Sequence, residues 1–169
     1  MDTLIIKNIC ASLPSRCVKN NDIIKLIYQK SKKYDGDLSK DLKLIKQLLE
    51  KSGSESRFWC AQGETAIEHV KTCVTDVLQR SQISPRDVDL LIYVGVGRGF
   101  IEPSNAHLMA HALNCVNAQC FDIIEACMSW IRGLQIADSL FKTSTYRNAL
   151  IINAEFNRSF WTNWFRIGE

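Results

Sequence analysis

No apolar run in this chain approaches the length needed to cross a bilayer. The opening stretch "MDTLIIKNIC" has neither the basic start nor the long apolar core of a secretory leader. Strong charge is also missing. The formal net charge is +3, too mild for a chain whose partner is nucleic acid or a membrane surface. The chain holds no internal repeat and no low-complexity linker. Its seven cysteines include no C-x-x-C pair, which argues against a zinc site. An odd count without a regular framework, read with the missing leader, points to reduced thiols in a cytoplasmic protein. "GVGRGF" (Gly95–Phe100) lacks the Lys-Ser/Thr ending of a phosphate loop and the full dinucleotide spacing.

What is present is ordinary for a globular domain: 169 residues, 46% hydrophobic and 23% charged, enough for one real core. Apolar "LIIKNICASLP" (Leu4–Pro14) predicts a first strand, stopped by its proline. Asn20, Asn21 and Asp22 offer caps for a helix carrying Ile23, Ile24 and Ile27. A second helix is expected over Asp37–Lys51, with Leu38, Leu42, Ile45, Leu48 and Leu49 on its inner face. "SGSES" (Ser52–Ser56) reads as a loop, and Ala66, Val70, Cys73, Val74, Val77 and Leu78 mark a third helix. After a turn at Ser84–Asp87, "VDLLIYVGVG" (Val88–Gly97) is near-continuously apolar, as a strand buried on both faces should be. A helix over Ser104–Asn114, a strand ending near Glu125, another helix and a last buried strand over Asn148–Phe156 complete the series.

Strands alternating with helices predict an α/β fold with a mostly parallel sheet and flanking helices. The functional crevice of such a sheet lies beyond the carboxyl ends of its strands. Cys127, Gly95–Gly99 and Glu155 all fall there. In "FDIIEACMSWIRGLQIADSL" (Phe121–Leu140), Cys127 stands where a strand hands over to a helix. A helix start presents unpaired N–H groups and a positive dipole end, which favour the nucleophilic thiolate. Cys127 is therefore either a nucleophile or a small buried residue at a tight junction.

Other features have plainer readings. His107, His111 and Cys115 recur at i, i+4 and i+8, a metal-ligand spacing on one helical face, but no fourth ligand accompanies them. Cys10, Cys17, Cys60, Cys73 and Cys120 read as small packing residues. "FWTNWF" (Phe160–Phe165) suits a pocket wall or subunit interface better than base stacking. "KSKKY" (Lys30–Tyr34) is a solvated basic face or a contact for an acidic carrier protein.

Taken in order, "ISPRDVDLLIYVGVG", "EPSNAHLMAHALN", "FDIIEACMSW" and "RNALIINAEF" resemble the amino-terminal half of the ketoacyl-ACP synthase III family of thiolase-fold condensing enzymes. Pro103, Ser104, Ala106, Phe121, Asp122, Ala126, Cys127 and Ala149 match that pattern position by position. The resemblance implies that residues 1–169 are the amino-terminal half of a duplicated thiolase-like fold. It also implies that Cys127 takes an acyl group from an acyl-CoA or acyl-carrier-protein thioester, with no bound cofactor. The Cys127 N–H would help form the oxyanion hole, and a second thioester would then attack as a carbanion.

The family's His and Asn partners lie in a second half, and its glycine-rich strand completes the first. Neither is found in this sequence, and His69, His107 and His111 do not stand at the family's histidine position. The expectation is a chain inactive alone, completed by a carboxyl-terminal half or second polypeptide, in a homo- or heterodimer. Gly53 is followed by Ser54, and only Arg57 remains of the family's Arg pair, which leaves CoA and carrier-protein donors both open. Glu102, 25 residues before Cys127, stands where the family is usually apolar. It is either a solvated loop carboxylate or, as in the subset that condenses two acyl chains head to head, a base acting in the partner subunit. Two alternatives to condensation remain: acyl transfer to an oxygen, nitrogen or sulfur acceptor, and a non-catalytic partner subunit of a ketosynthase dimer.

Overall fold

The computed structural model describes residues 4–96, 102–143 and 145–154. These fall into two compact units, residues 13–64 and residues 4–12 with 65–154. Gly97, Gly99, Glu155 and the aromatic cluster Phe160–Phe165 lie outside the described residues.

In residues 13–64, strand β1 (Arg16–Lys19) runs directly into helix α1 (Asn20–Lys30), helix α2 (Leu38–Lys51) follows, and strand β2 (Ser56–Trp59) returns. β2 pairs antiparallel with β1, Arg16 opposite Trp59 and Lys19 opposite Ser56. The Asp22 carboxylate accepts the Lys19 N–H at 3.1 Å, closing the start of α1. Asp37 caps α2 by accepting the Lys40 N–H at 3.0 Å. Val18, Ile23 and Ile27 form a small core against Leu42, Ile45, Leu49 and Trp59. Leu48, expected inside, is 57% exposed. At 100° per residue it lies about 60° from Ile45, about 100° from Leu49 and about 120° from Leu42, at the margin of the packed face. Cys17, expected to pack, is exposed on β1. Neither strand was expected, and Ser56 opens β2 rather than closing a loop.

The second unit contains helix α3 (Ala66–Ser81), strand β3 (Leu90–Gly95), helix α4 (Asn105–Ala112), strand β4 (Gln119–Ile124), helix α5 (Ser129–Thr143) and strand β5 (Ala149–Asn153). The three strands form a parallel sheet in the order β4-β3-β5. β3 is central, and every one of its residues is buried, as its unbroken apolar run predicts. Leu91 and Tyr93 pack on one face with Val70, Val74 and Leu78 of α3 and Ala106, Met109 and Ala110 of α4. Leu90, Ile92 and Val94 face the other side, against Ala137 of α5 and Phe121, Ile123 and Ile151 of the flanking strands. Helices thus cover both faces.

The run at Leu4–Pro14 forms no strand. Side chains of α3 hold it as an extended segment instead. Asn8 donates to Ser81 Oγ at 2.7 Å, Arg80 donates to the Ile9 carbonyl at 2.9 Å, and Ser12 Oγ lies 2.7 Å from His69 Nδ1. Ile5 and Ile9 stay 76% and 65% exposed. A strand needs a ladder, and no described strand pairs with this segment.

Gly133 sets how closely α5 approaches the sheet. A Cβ there would lie 2.9 Å from Val94 Cγ1, and Val94 is fully buried. Helix propensity favours Ala over Gly by about 1 kcal/mol, but overpacking costs about 1–3 kcal/mol where the neighbour cannot move. We expect Gly133→Ala to lower the urea midpoint at unchanged m-value. A raised midpoint would show that Val94 yields.

Candidate active site

β4 ends at Ile124, level with Gly95 of β3, and Val94 of β3 is level with Asn153 of β5. The described carboxyl ends of all three strands therefore share one edge, where Cys127 follows. Asn153 Nδ2 donates to the Val94 carbonyl at 2.8 Å, and the Tyr93 hydroxyl donates to the Ala154 carbonyl. These two bonds fasten β5 to β3 at that edge.

Between β4 and α5 the chain makes one tight 3-10 turn, Ala126–Met128. Ala126 sits at φ +47°, in the left-handed region that a residue with a Cβ enters only at a cost. Hydrogen bonds from three residues hold it there. Met128 N–H donates to the Glu125 carbonyl at 3.1 Å. The buried Ser129 hydroxyl donates to the Ala126 carbonyl at 2.8 Å. Arg132, from the first turn of α5, forks onto Glu125 at 2.8 and 3.1 Å. The Arg132 guanidinium holds the Glu125 carboxyl below its usual range.

Cys127 stands at the middle of this turn and is exposed. It is neither a buried junction residue nor the first residue of the helix, since α5 begins two positions later. Its amide N–H has no acceptor among the described residues. Ile124, Met128, Trp130 and Ile131 are 37%, 54%, 36% and 46% exposed, an apolar collar in the sequence around it.

Glu102 is exposed and precedes Pro103 and Ser104, which caps α4 by accepting the His107 N–H at 3.3 Å. No hydrogen bond or ion pair joins Glu102 to Cys127, yet one carboxylate connects their elements. Asp122, in the middle of β4, accepts the Asn105 and Ala106 N–H groups at 2.9 and 2.8 Å. The loop bearing Glu102 is thereby tied to the strand that leads to Cys127. Asp122 matched the family pattern without a role. The signal for one was a lone acid within the apolar "FDII", which a strand tolerates only when hydrogen-bonded.

The metal-ligand spacing at His107, His111 and Cys115 does not survive on the structure. α4 ends at Ala112, and Asn114 turns left-handed at φ +58°. Cys115 is therefore off the helix and buried, while both histidines are exposed. Arg57 donates to Asn20 Oδ1 at 2.6 Å, a contact within residues 13–64.

Residues 121–166, which begin in β4 and include the Cys127 turn, match the family model for 3-oxoacyl-[acyl-carrier-protein (ACP)] synthase III. The beta-ketoacyl-[acyl-carrier-protein] synthase III of Clostridium beijerinckii is 28% identical over 155 residues, covering 92% of this chain and 43% of that protein. The 3-oxoacyl-[acyl-carrier-protein] synthase III structure from Aquifex aeolicus superposes with a TM-score of 0.67 at 26% identity, covering 86% of this chain and 42% of that one. By sequence and by fold, this chain is similar to ketoacyl-ACP synthase III proteins. Its fold is thiolase-like, and it spans less than half the length of these relatives. A variant of OleA from Xanthomonas campestris shares the fold at 20% identity with a TM-score of 0.70, covering 93% of this chain and 45% of that one.

The seven thiols differ in surroundings, and alkylation should read the difference. Burial pushes the Cys115 thiol up to about 11 and does the same for Cys73, where Cys10 adds to it. A thiol of pKa about 11 is only about 0.1% thiolate at pH 8. Iodoacetamide at pH 8 should modify exposed Cys127 and Cys17 first, and Cys73 and Cys115 last. Raising the pH toward 11 should narrow the gap. Peptide mass spectrometry reads the order, and equal early labelling of Cys115 would contradict the burial.

Proposed function

We propose that this chain is the nucleophile-bearing, amino-terminal half of a ketosynthase III-type condensing enzyme of fatty-acid, polyketide or related metabolism. The observation that carries the reading is the exposed Cys127 on a strained turn at the carboxyl end of a parallel strand. Left-handed backbone at a non-glycine residue is costly and clusters at active sites.

In the first step the Cys127 sulfur attacks the carbonyl of an acyl-CoA or acyl-carrier-protein thioester. The Cys127 N–H stabilises the oxyanion, the old carbon–sulfur bond breaks, and the departing thiol takes the proton that Cys127 gives up. In the second step the α-carbon of another thioester attacks the acyl group. A carbon–carbon bond forms and Cys127 leaves as thiolate. The α-carbanion arises either by loss of carbon dioxide or by removal of a proton, and only the second route needs a base. We assign that role to Glu102, acting at the site of a partner subunit.

The remaining groups for turnover come from a carboxyl-terminal half or another polypeptide. Coverage of less than half of the relatives supports this, as does the apolar collar near Cys127, which suits burial under further protein. The assembly is read as a dimer, served by an acyl carrier protein, in the cytoplasm. No described helix is long and apolar enough to cross a membrane.

Two variants test the two steps in the assembled enzyme. Cys127→Ser should abolish the acyl adduct seen by intact-protein mass spectrometry after incubation with acyl thioester. An adduct that persists on the variant would remove Cys127 from the nucleophile role. Glu102→Gln keeps the size of the side chain and deletes the base. It should accumulate acyl-enzyme while product formation falls on the order of 10²-fold or more. Product formation at the unmodified rate would make Glu102 a solvated loop carboxylate and favour a decarboxylating reaction.

A further inference from the structure

The amino-terminal segment runs along α3 in a register fixed at both ends. At one end Ser12 Oγ lies 2.7 Å from His69 Nδ1. At the other, Asn8 donates to Ser81 Oγ at 2.7 Å, while Arg80 donates to Asn8 Oδ1 at 3.1 Å and to the Ile9 carbonyl at 2.9 Å. The segment is therefore antiparallel to the helix. Extended chain from residue 8 to 12 spans about 13 Å, and the helix rises about 18 Å from His69 to Ser81. The midpoints of the two lie side by side, which sets Cys10 over the stretch between Cys73 and Asp76. His69, Cys73, Asp76 and Arg80, spaced by four, three and four residues, share one face of α3.

The side chains meet as this register requires. The Cys10 thiol donates to the Asp76 carboxylate, and the Cys10 and Cys73 thiols are hydrogen-bonded to each other. Both cysteines are half-buried, so neither is sealed from solvent. Apart from the thiols, polar contacts hold the segment, and those made by Arg80 are exposed. Ile5 and Ile9 leave most of their apolar surface in water. A covalent bond at the middle of the segment would fasten what is otherwise lightly held.

We propose that Cys10 and Cys73 are a redox modification site, a thiol pair that closes to a reversible disulfide and clasps the amino-terminal segment to α3. Pairs of this kind in a reducing compartment are free thiols at rest and bridged only transiently. The oxidant is a peroxide. One sulfur, as thiolate, attacks a peroxide oxygen; the O–O bond breaks, the sulfur becomes a sulfenic acid, and the departing hydroxide takes up a proton as water. The other sulfur then attacks the sulfenic sulfur; the S–O bond breaks, the S–S bond forms, and the hydroxide leaves as water with the proton of the second thiol. Two thiols and one peroxide give one disulfide and two waters. A dithiol reductant reverses the step by exchange. The bridge closes the loop of chain that contains residues 13–64, which restricts the unfolded state. The proposal does not depend on the chemistry at Cys127.

The test treats the full chain, kept dilute, with hydrogen peroxide, blocks the remaining thiols with N-ethylmaleimide and digests with trypsin in the absence of reductant. Cleavage after Lys7, Arg16, Lys71 and Arg80 leaves Cys10 as the sole cysteine of Asn8–Arg16 and Cys73 as the sole cysteine of Thr72–Arg80. Mass spectrometry should find these two peptides joined, and separated by dithiothreitol. The oxidised chain should melt several degrees above the reduced one. Cys10→Ser and Cys73→Ser should each lose both the joined peptide and the shift. Cys10 lies outside every helix and strand, so its variant keeps the test sound if Cys73→Ser weakens the fold. The proposal is overturned if the joined peptide does not form, or if either cysteine is found as a sulfinic acid or joined elsewhere instead. It is equally overturned if the bridged chain melts no higher than the reduced one, or if the shift persists in Cys10→Ser.

Discussion

The carboxylate of Asp122 is the interaction on which the candidate site depends. It stands in the middle of β4, opposite Tyr93, in a sheet covered by helices on both faces. An acid in that setting is costly unless its oxygens are satisfied. Asp122 satisfies them with two backbone amides at the start of α4, at 2.9 and 2.8 Å. The bonds are charge-assisted and lie at the positive end of the helix dipole. Two orphan donors of α4 and one half-buried charge are settled together. The joint also fixes where α4 begins relative to β4. The Glu102 loop enters α4 on one side of it, and the Cys127 turn leaves β4 on the other.

The strain at Ala126 belongs to the same logic. A left-handed non-glycine residue costs about 1–2 kcal/mol. Glycine would relieve it, yet the position is alanine and the turn persists. Several groups share the work of holding it: the Ser129 hydroxyl on the Ala126 carbonyl, the Met128 N–H on the Glu125 carbonyl, and Arg132 on the Glu125 carboxylate. Arg132 and Glu125 are both substantially solvent-exposed, so this pair steers geometry more than it adds stability. Gly133, one residue on, lets α5 sit close to Val94. The turn is thus braced from its carboxyl side by the helix it starts, and from its amino side by β4 within the sheet.

What could be read in advance follows the range of the interactions involved. β3 announces itself through six apolar or small residues in a row, and α3 through its apolar repeat. Cys127 stood out because a strand pattern gave way to a helix pattern around it, though its setting in a 3-10 turn did not. β1 and β2 were missed because four-residue strands are too short to show a period. The strand expected at Leu4–Pro14 failed for the opposite reason: its apolar character was plain, but pairing depends on a neighbour that local sequence cannot supply. Leu48 was assigned inward by counting leucines, and the face that packs is decided by α1, which no window over α2 contains. The bonds from Asp122 to α4 span 16 and 17 residues and leave only an isolated acid as their trace.

The proposed reaction divides unevenly between what this chain carries and what must be brought to it. Acylation asks for an accessible sulfur, a donor for the oxyanion and room for a thioester. The exposed Cys127 with an amide unclaimed among the described residues offers the first two from one residue. Condensation asks for more, since a carbanion must form and survive next to the acyl group, and water must be kept out. An open edge cannot exclude water, and the exposed Ile124, Met128, Trp130 and Ile131 cannot enclose an acyl chain while they face solvent. Under this reading, the surface that covers those side chains is also what converts a reactive thiol into a condensing site. Closure and the arrival of a base from a second subunit are then one structural event. The Glu102 loop is suited to that event, because Asp122 holds it to the strand that carries the nucleophile of its own subunit.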